Sequence, residues 1–479
     1  MNVRDLEPKI VWNHFSDLNA VPRPSKKEER VIKFMQDFGA KLALDTYTDA
    51  VGNVIIKKPA TAGMEDRQTV IIQSHLDMVH QKNSDTNFDF DTQGIEMYVD
   101  GDWVRANGTT LGADNGMGVA AIMALLSSED IAHPTIEALF TIDEETGMTG
   151  AMELEKGLLK GTILLNLDTE DDDEFSIGCA GGIDTNTTYK YAQASVIAGS
   201  QTYNIIVNGL NGGHSGVQIN EELGNANKIM NRLMYGCEDY NLQIINVDGG
   251  SLRNAIPRES FATIAASPAY LEELEQRTQA IKEEYSIQDP NLSIRVEATS
   301  QADKAMSLED TIKVTTALYA VHNGVFRYSR AIEGLVETSS SLARVIVKEG
   351  EFITQSLQRS SLESGKYDVA YTVAAPFYLM GCEVQQKGDY PGWSPNPTSP
   401  ILDILVAKYK ELFNNEEPKV MAIHAGLECG LLGKRYPGLD MISFGPTIKG
   451  AHSPDERCGI KSTAKFWMFL KEILANVPK

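Results

Sequence analysis

Short apolar segments that end in histidine or carboxylate constrain this chain more than any other feature. "TVIIQSHLD" holds the unbroken triplet Val70–Ile72, and "TIEALFTI" and "TILLNL" are apolar almost throughout. A strand that is apolar on both faces must be covered on both, the condition of an inner strand of an α/β sheet. "NGMGVAAIMALLSS" reads as a strongly apolar covering helix. Upstream, "PRPSKKEERVIKFMQDFGAKLAL" places Ser25 and Glu28 at capping-box spacing, followed by Val31, Phe34, Met35, Phe38 and Leu42 at helical intervals. These elements predict an open α/β domain over residues 1–182.

The texture then changes. "QTYNIIVNGL", "ESFATIAA", "LSIRVEA", "SLARVIVKEG" and "YDVAYTVAA" alternate as half-exposed strands, with polar helices such as "SPAYLEELEQRTQAIKEEY" between them. This α+β texture runs to the turn-rich "DYPGWSPNPTSP". Helix ("ILDILVAKYKELF") and buried strand ("KVMAI", "DMISFG") then alternate again. The expected architecture is one α/β domain made of residues 1–182 and 391–479, with an α+β domain inserted over 183–390. Alternating strands on both sides of "DPNLSIRVEATSQADKAMSLEDTIKVTTALYAVHNG" predict an inserted domain of two similar halves. Glycine and proline at Gly181–Gly182 and Asp389–Pro391 mark an expected hinge.

A chain of 479 residues exceeds one ordinary core, and its 42% hydrophobic and 23% charged residues are normal globular usage. Lys+Arg 43 against Asp+Glu 66 gives a net charge of −23. Nucleic acid and anionic membranes would be repelled by such a surface, so neither is expected as a partner. Five scattered cysteines with no C-x-x-C pair argue against a disulfide framework. The opening "MNVRDLEPKI" lacks a signal-peptide pattern, and a cytoplasmic location is expected.

The residues that follow the buried strands carry chemistry. His75 and Asp77 follow the first, Asp143, Glu144 and Glu145 the second, and Asp168 the third. His452 follows "DMISFG" across a loop, and Asp114 opens the apolar helix. Ligands of open α/β sheets bind outside the carboxyl ends of the strands, so these side chains are expected at one edge. Singly, each reads as a cap or turn residue. Crowded together, the carboxylates would repel unless cations neutralise them. Two histidines and three carboxylates, one of them shared, suit a pair of zinc ions.

"SHLDMV", "LGADNG", "DEETGMTGA", "NLDTED" and "GAHSPDE", with "GGHSG" and "HAGLECG", resemble the di-zinc exopeptidase family of aminoacylases and glutamate carboxypeptidases. Within it the chain is similar over its whole length to the aminoacyl-histidine (Xaa-His) dipeptidases. The resemblance implies a metal-dependent dipeptidase with two zinc ions per subunit, cobalt or manganese being substitutes, and dipeptides as substrates. It implies that Asp114 bridges the metals through a cis Asp114–Asn115 peptide. His75 and Asp168 would complete one site, and Glu145 and His452 the other. Glu144 would be general base and acid, and Asp77 would orient the His75 ring. The resemblance further makes His214 the oxyanion stabiliser, Asn254 and Arg359 the binders of the substrate carboxylate, and Gly426 a backbone donor to it.

Two other readings stay open at this point. One is an N-acyl amino acid amidohydrolase or tripeptidase on the same scaffold, and the other a non-catalytic peptide-binding module. Retention of Glu144 beside all five ligands speaks against the module. The sequence leaves open the preferred side chains, the metal used in the cell, and whether the chain works alone or as a homodimer. It also leaves open whether His214 acts within its own chain.

Overall fold

The computed structural model describes residues 2–479. They form two compact units. The first comprises the residues up to Gly178 with Pro395–Ala422 and Leu427–Lys479, and the second Cys179–Ser394 with Ile423–Gly426.

The first unit is built on an eight-stranded sheet. Its order is Asp45–Thr48, Val54–Lys58, Ile136–Thr141, Val70–His75, Ile163–Asn166, Asp440–Ser443, Glu174–Cys179, Lys419–Ile423. The central strands are parallel: Val70–His75 pairs in this sense with both neighbours, and Ile163–Asn166 with Asp440–Ser443. Every residue of Val70–His75 and of Ile136–Thr141 is buried, the polar Gln73, Ser74, His75, Glu137 and Thr141 as well as the apolar Val70–Ile72 and Ala138–Phe140, as inner strands covered on both faces require. Helix Ala113–Ser127 packs on Val70–His75 and is buried from Asn115 to Leu126. Because the four central strands run the same way, their carboxyl ends share one edge.

The amphipathic helix near the start spans Glu29–Lys41, but its expected capping box does not form. Ser25 Oγ donates to Asp77 Oδ2 at 2.8 Å instead, and Glu28 Oε1 accepts from the Lys26 N–H at 2.9 Å. A buried carboxylate outcompetes a helix terminus for the hydroxyl, because an anionic acceptor forms the stronger hydrogen bond.

The second unit holds a nine-stranded antiparallel sheet with an internal repeat. Strands Gln201–Asn208, Gln243–Gly249, Ser260–Ala266 and Ser293–Ala298, with helices Ala226–Met234 and Tyr270–Glu284, form one strand–helix–strand–strand–helix–strand run. Strands Gly181–Lys190, Val336–Lys348, Glu351–Ser360 and Glu383–Tyr390, with helices Leu308–Ala320 and Glu363–Met380, form a second. Each stands in the order four, one, three, two, and the two second strands pair, Val247 facing Val347. The halves are nested rather than consecutive, since the first lies wholly between the opening strand and the first helix of the other.

"YDVAYTVAA" is not a strand but part of helix Glu363–Met380. Its buried residues Val369, Ala370, Val373, Ala374 and Phe377 follow the helical period, and Gly381 at φ 90° ends the helix in the left-handed region. The segments read as a hinge are strand-paired, Gly182 facing Tyr390. A Cβ on Gly181 would meet the Gly392 nitrogen at 2.4 Å, so this pairing needs glycine. Among the described residues, no helix is long and apolar enough to cross a membrane.

Candidate metal centre

The shared strand edge of the first unit gathers the chemistry. His75 is the last residue of its strand. Glu144 and Glu145 start a one-turn helix behind Asp143, whose φ of 54° turns the chain sharply after its strand. Asp168 lies two residues past Asn166, and Asp114 sits at the opening of the buried helix. The Asp114–Asn115 peptide is cis.

Asp114 divides its carboxylate between two histidines. Oδ1 lies 3.3 Å from His75 Nε2 and Oδ2 lies 3.1 Å from His452 Nε2. The His75 nitrogen is also 3.6 Å from Asp168 Oδ1, and the His452 nitrogen 3.0 Å from Glu145 Oε2. Two triads therefore share one carboxylate. Tetrahedral zinc with bonds near 2.0–2.1 Å separates its ligand atoms by about 3.3 Å, close to these spacings. Ligand atoms of His75, Asp114 and Glu145 lie within 4.8 Å of one another. Glu145 Oε1 is buried without a hydrogen-bond partner, an orphaned anionic oxygen that a cation would satisfy.

The titration behaviour points the same way. Hydrogen bonds to Asp114 and Glu145 push His452 up to about 11. Burial lifts Asp168 to about 6. Burial, with Asp168, Glu145 and Glu428 nearby, raises Glu144 well above the usual carboxylate range. The His452 shift comes from the two carboxylates beside it, a concentration of negative charge that suits a cation. These residues fit a metal centre.

Asp77 is fully buried and ties two parts of the site together. Its Oδ1 lies 3.3 Å from His75 Nδ1 and accepts the Glu144 N–H at 3.0 Å, while Oδ2 accepts the Glu145 N–H at 3.3 Å. Burial opposes its charge, but His75, Ser25 and the Glu144 N–H outweigh it, and the group stays below its ordinary value.

Several supporting residues were not anticipated. Asn115 Nδ2 donates to Leu167 O at 2.6 Å and also to Asp168 Oδ1, aiming that carboxylate. Glu428 is buried, and its Oε2 accepts from Gln73 and Thr141 of two adjacent sheet strands. Buried Arg23 donates to the carbonyls of Leu76, Asp77 and Gly112. The motif "LGADNG" contains Asn115 and "HAGLECG" contains Glu428, whereas nothing in the sequence singled out Arg23.

The remaining expected site residues lie in the second unit. His214 Nδ1 accepts the N–H groups of Gly216 and Val217 at 3.2 and 3.0 Å, so the neutral ring carries its proton on Nε2. That nitrogen lies 3.5 Å from Arg359 Nη2. Two donors thus stand side by side, and Arg359 Nε is also buried without a partner. Such a group of donors suits an anion. Arg359 Nη1 donates to the Tyr390 hydroxyl at 3.1 Å. Gly426 belongs to the short segment Ile423–Gly426 of this unit. In that segment His424 is buried and pairs with Ser339 Oγ at 2.7 Å. Asn254 is exposed, and its carbonyl accepts the Ser215 N–H at 2.8 Å. Among the described residues, no hydrogen bond joins its side chain to Arg359.

A profile of peptidase family M20/M25/M40 matches residues 71–476. The chain is 41% identical over 478 residues to the cytosol non-specific dipeptidase of Escherichia coli strain K12, covering 99% of this chain and 98% of that protein. It superposes on the crystal structure of aminoacylhistidine dipeptidase from Vibrio alginolyticus with a TM-score of 0.93 at 41% identity, over 100% and 99% of the two chains. Aminopeptidase PepT from Bacillus cereus shares the fold, with a TM-score of 0.58 at 16% identity over 99% and 100% of the chains.

Proposed function

The chain belongs to peptidase family M20/M25/M40, and from that premise we propose that it is a dipeptidase using two zinc ions held by five residues. Asp114 would bridge the two ions, His75 and Asp168 would complete one site, and Glu145 and His452 the other. Cobalt or manganese can substitute. The observation that carries this reading is the division of the Asp114 carboxylate, with one oxygen facing each histidine. The full-length likeness to a cytosol non-specific dipeptidase supports dipeptides as substrates and the cytosol as the location.

Bound zinc supplies a Lewis acid for the scissile carbonyl and acidifies water toward neutral pH. Glu144 takes a proton from the attacking water and passes it to the departing amine. Its elevated proton affinity suits a group that must both accept and return a proton. Asp77 holds the His75 ring through Nδ1, which leaves Nε2 free for metal, and anchors the backbone of Glu144 and Glu145. In the second unit, Arg359 binds the substrate carboxylate together with Asn254 and backbone donors at Gly426. His214 stabilises the oxyanion through Nε2–H. The unpartnered Arg359 Nε and the adjacent His214 donor support an anion there.

The test combines metal content with hydrolysis of a panel: an Xaa-His dipeptide, an unrelated dipeptide, a tripeptide and an N-acetyl amino acid, each with and without chelator. Two zinc ions per chain and chelator-sensitive cleavage confined to dipeptides are expected. Preferential cleavage of the tripeptide or the N-acetyl amino acid would overturn the substrate assignment.

A further inference from the structure

We propose that Glu456 is a positioning residue that holds His452 in register with Asp114 and thereby sets the affinity of the second cation site, an inference that rests on the two-ion reading above. Glu456 is 2% exposed. Its Oε2 accepts the N–H groups of Leu111 at 2.6 Å and Gly112 at 2.9 Å, and its Oε1 those of Ala113 at 2.7 Å and Asp114 at 3.2 Å. Four consecutive amides thus converge on one carboxylate. Gly112 at φ 69° is what lets the backbone turn all four the same way.

The loop is gripped from its other side as well. Arg23 Nη2 donates to Gly112 O at 2.6 Å, while its Nη1 holds the carbonyls of Leu76 and Asp77. The Asp114 loop is therefore seated between a buried anion and a buried cation.

His452 has no comparable seat. It lies in a loop, its side chain is 55% exposed, and its φ is 63°. A tight turn joins it to Glu456: Ser453 Oγ donates to Gly450 O at 2.8 Å, and the Glu456 N–H donates to Ser453 O at 3.0 Å. The turn carries His452 to the Asp114 loop, and Glu456 fastens it there. A glutamine could accept only through its one oxygen, leaving its amide nitrogen against two N–H donors.

Zinc binding to the metal-stripped full-length chain tests this, by equilibrium dialysis at graded free zinc with elemental analysis. Wild type is expected to bind two ions. Glu456→Gln is expected to keep the first with unchanged affinity and to hold the second roughly 10–100-fold more weakly. Its kcat should fall at limiting zinc and recover at saturating zinc, with KM unchanged. A purely structural role would weaken both ions together or lower the melting temperature without splitting them. That result, or two ions bound as in wild type, overturns the proposal. If Glu456→Gln does not fold, Glu456→Asp decides, because the shorter acid keeps the charge but cannot reach all four amides. Weakened binding of the second ion alone supports the proposal, and wild-type binding overturns it. Fewer than two ions in wild type would instead refute the two-ion reading and this inference with it.

Discussion

Asp77 and Glu144 are joined through the backbone: the Asp77 carboxylate accepts the Glu144 N–H at 3.0 Å, from the same oxygen that lies 3.3 Å from His75 Nδ1. One buried anion therefore fixes a metal-ligand candidate and the main chain of the proposed general base. This coupling separates what each residue's loss should do.

Glu144→Gln is expected to keep its metal and lose turnover. The amide preserves the side chain's size but cannot take a proton at neutral pH, so kcat should fall by roughly 10²–10⁴-fold. Kinetics on a dipeptide, with elemental analysis of the same preparation, checks both halves. Near wild-type turnover would remove Glu144 from its role.

Asp77→Asn should behave differently, lowering metal affinity and turnover together. An amide has one acceptor end, so either the Glu144 N–H with its neighbour His75 or the Glu145 N–H is left facing a donor. Loss of a partner that orients a ligating histidine costs roughly 10–100-fold in metal affinity. Dialysis against graded zinc measures it.

The shared carboxylate predicts a stoichiometric pattern. His75→Ala and His452→Ala should each lower zinc content toward one ion per chain, whereas Asp114→Ala should lose both. Equal losses in all three variants would contradict the division of Asp114 between two ions.

The histidines of the second unit predict an acid-sensitive stability. Burial, then Arg359, lowers His214 to about 4 and His424 to about 3. Unfolded histidine titrates near 6.5, so between that value and these the unfolded chain binds more protons than the folded one. Their contribution to stability is complete above about pH 6.5 and is lost as pH falls toward 4 and then 3. Chemical unfolding at stepped pH should show stability falling with acid over this window. His424→Gln should flatten the slope, and an unchanged slope would show that His424 is not held neutral.

The sequence by itself determined what is local and repetitive. Val70–Ile72 and the apolar run before Asp143 could only be inner strands, since no exposed position tolerates such continuous apolar surface, and side chains following parallel strands must emerge at one edge. The placement of His75, Glu144, Glu145 and Asp168 at the strand ends was legible for that reason. Periodicity was less decisive where small and large apolar residues crowd: "YDVAYTVAA" satisfies an alternating pattern and a helical one, and packing of Val373 and Phe377 into the core of the second unit selected the helix. Tertiary structure alone decided where competing polar groups went. Ser25 stands at a helix start yet serves Asp77, a carboxylate 52 residues away. Glu456 meets four amides that lie 342–345 residues before it in the chain. No spacing rule encodes such a meeting, because a buried charge takes whichever donors the folded chain brings to it, and those donors exist as a group only after the loop has turned.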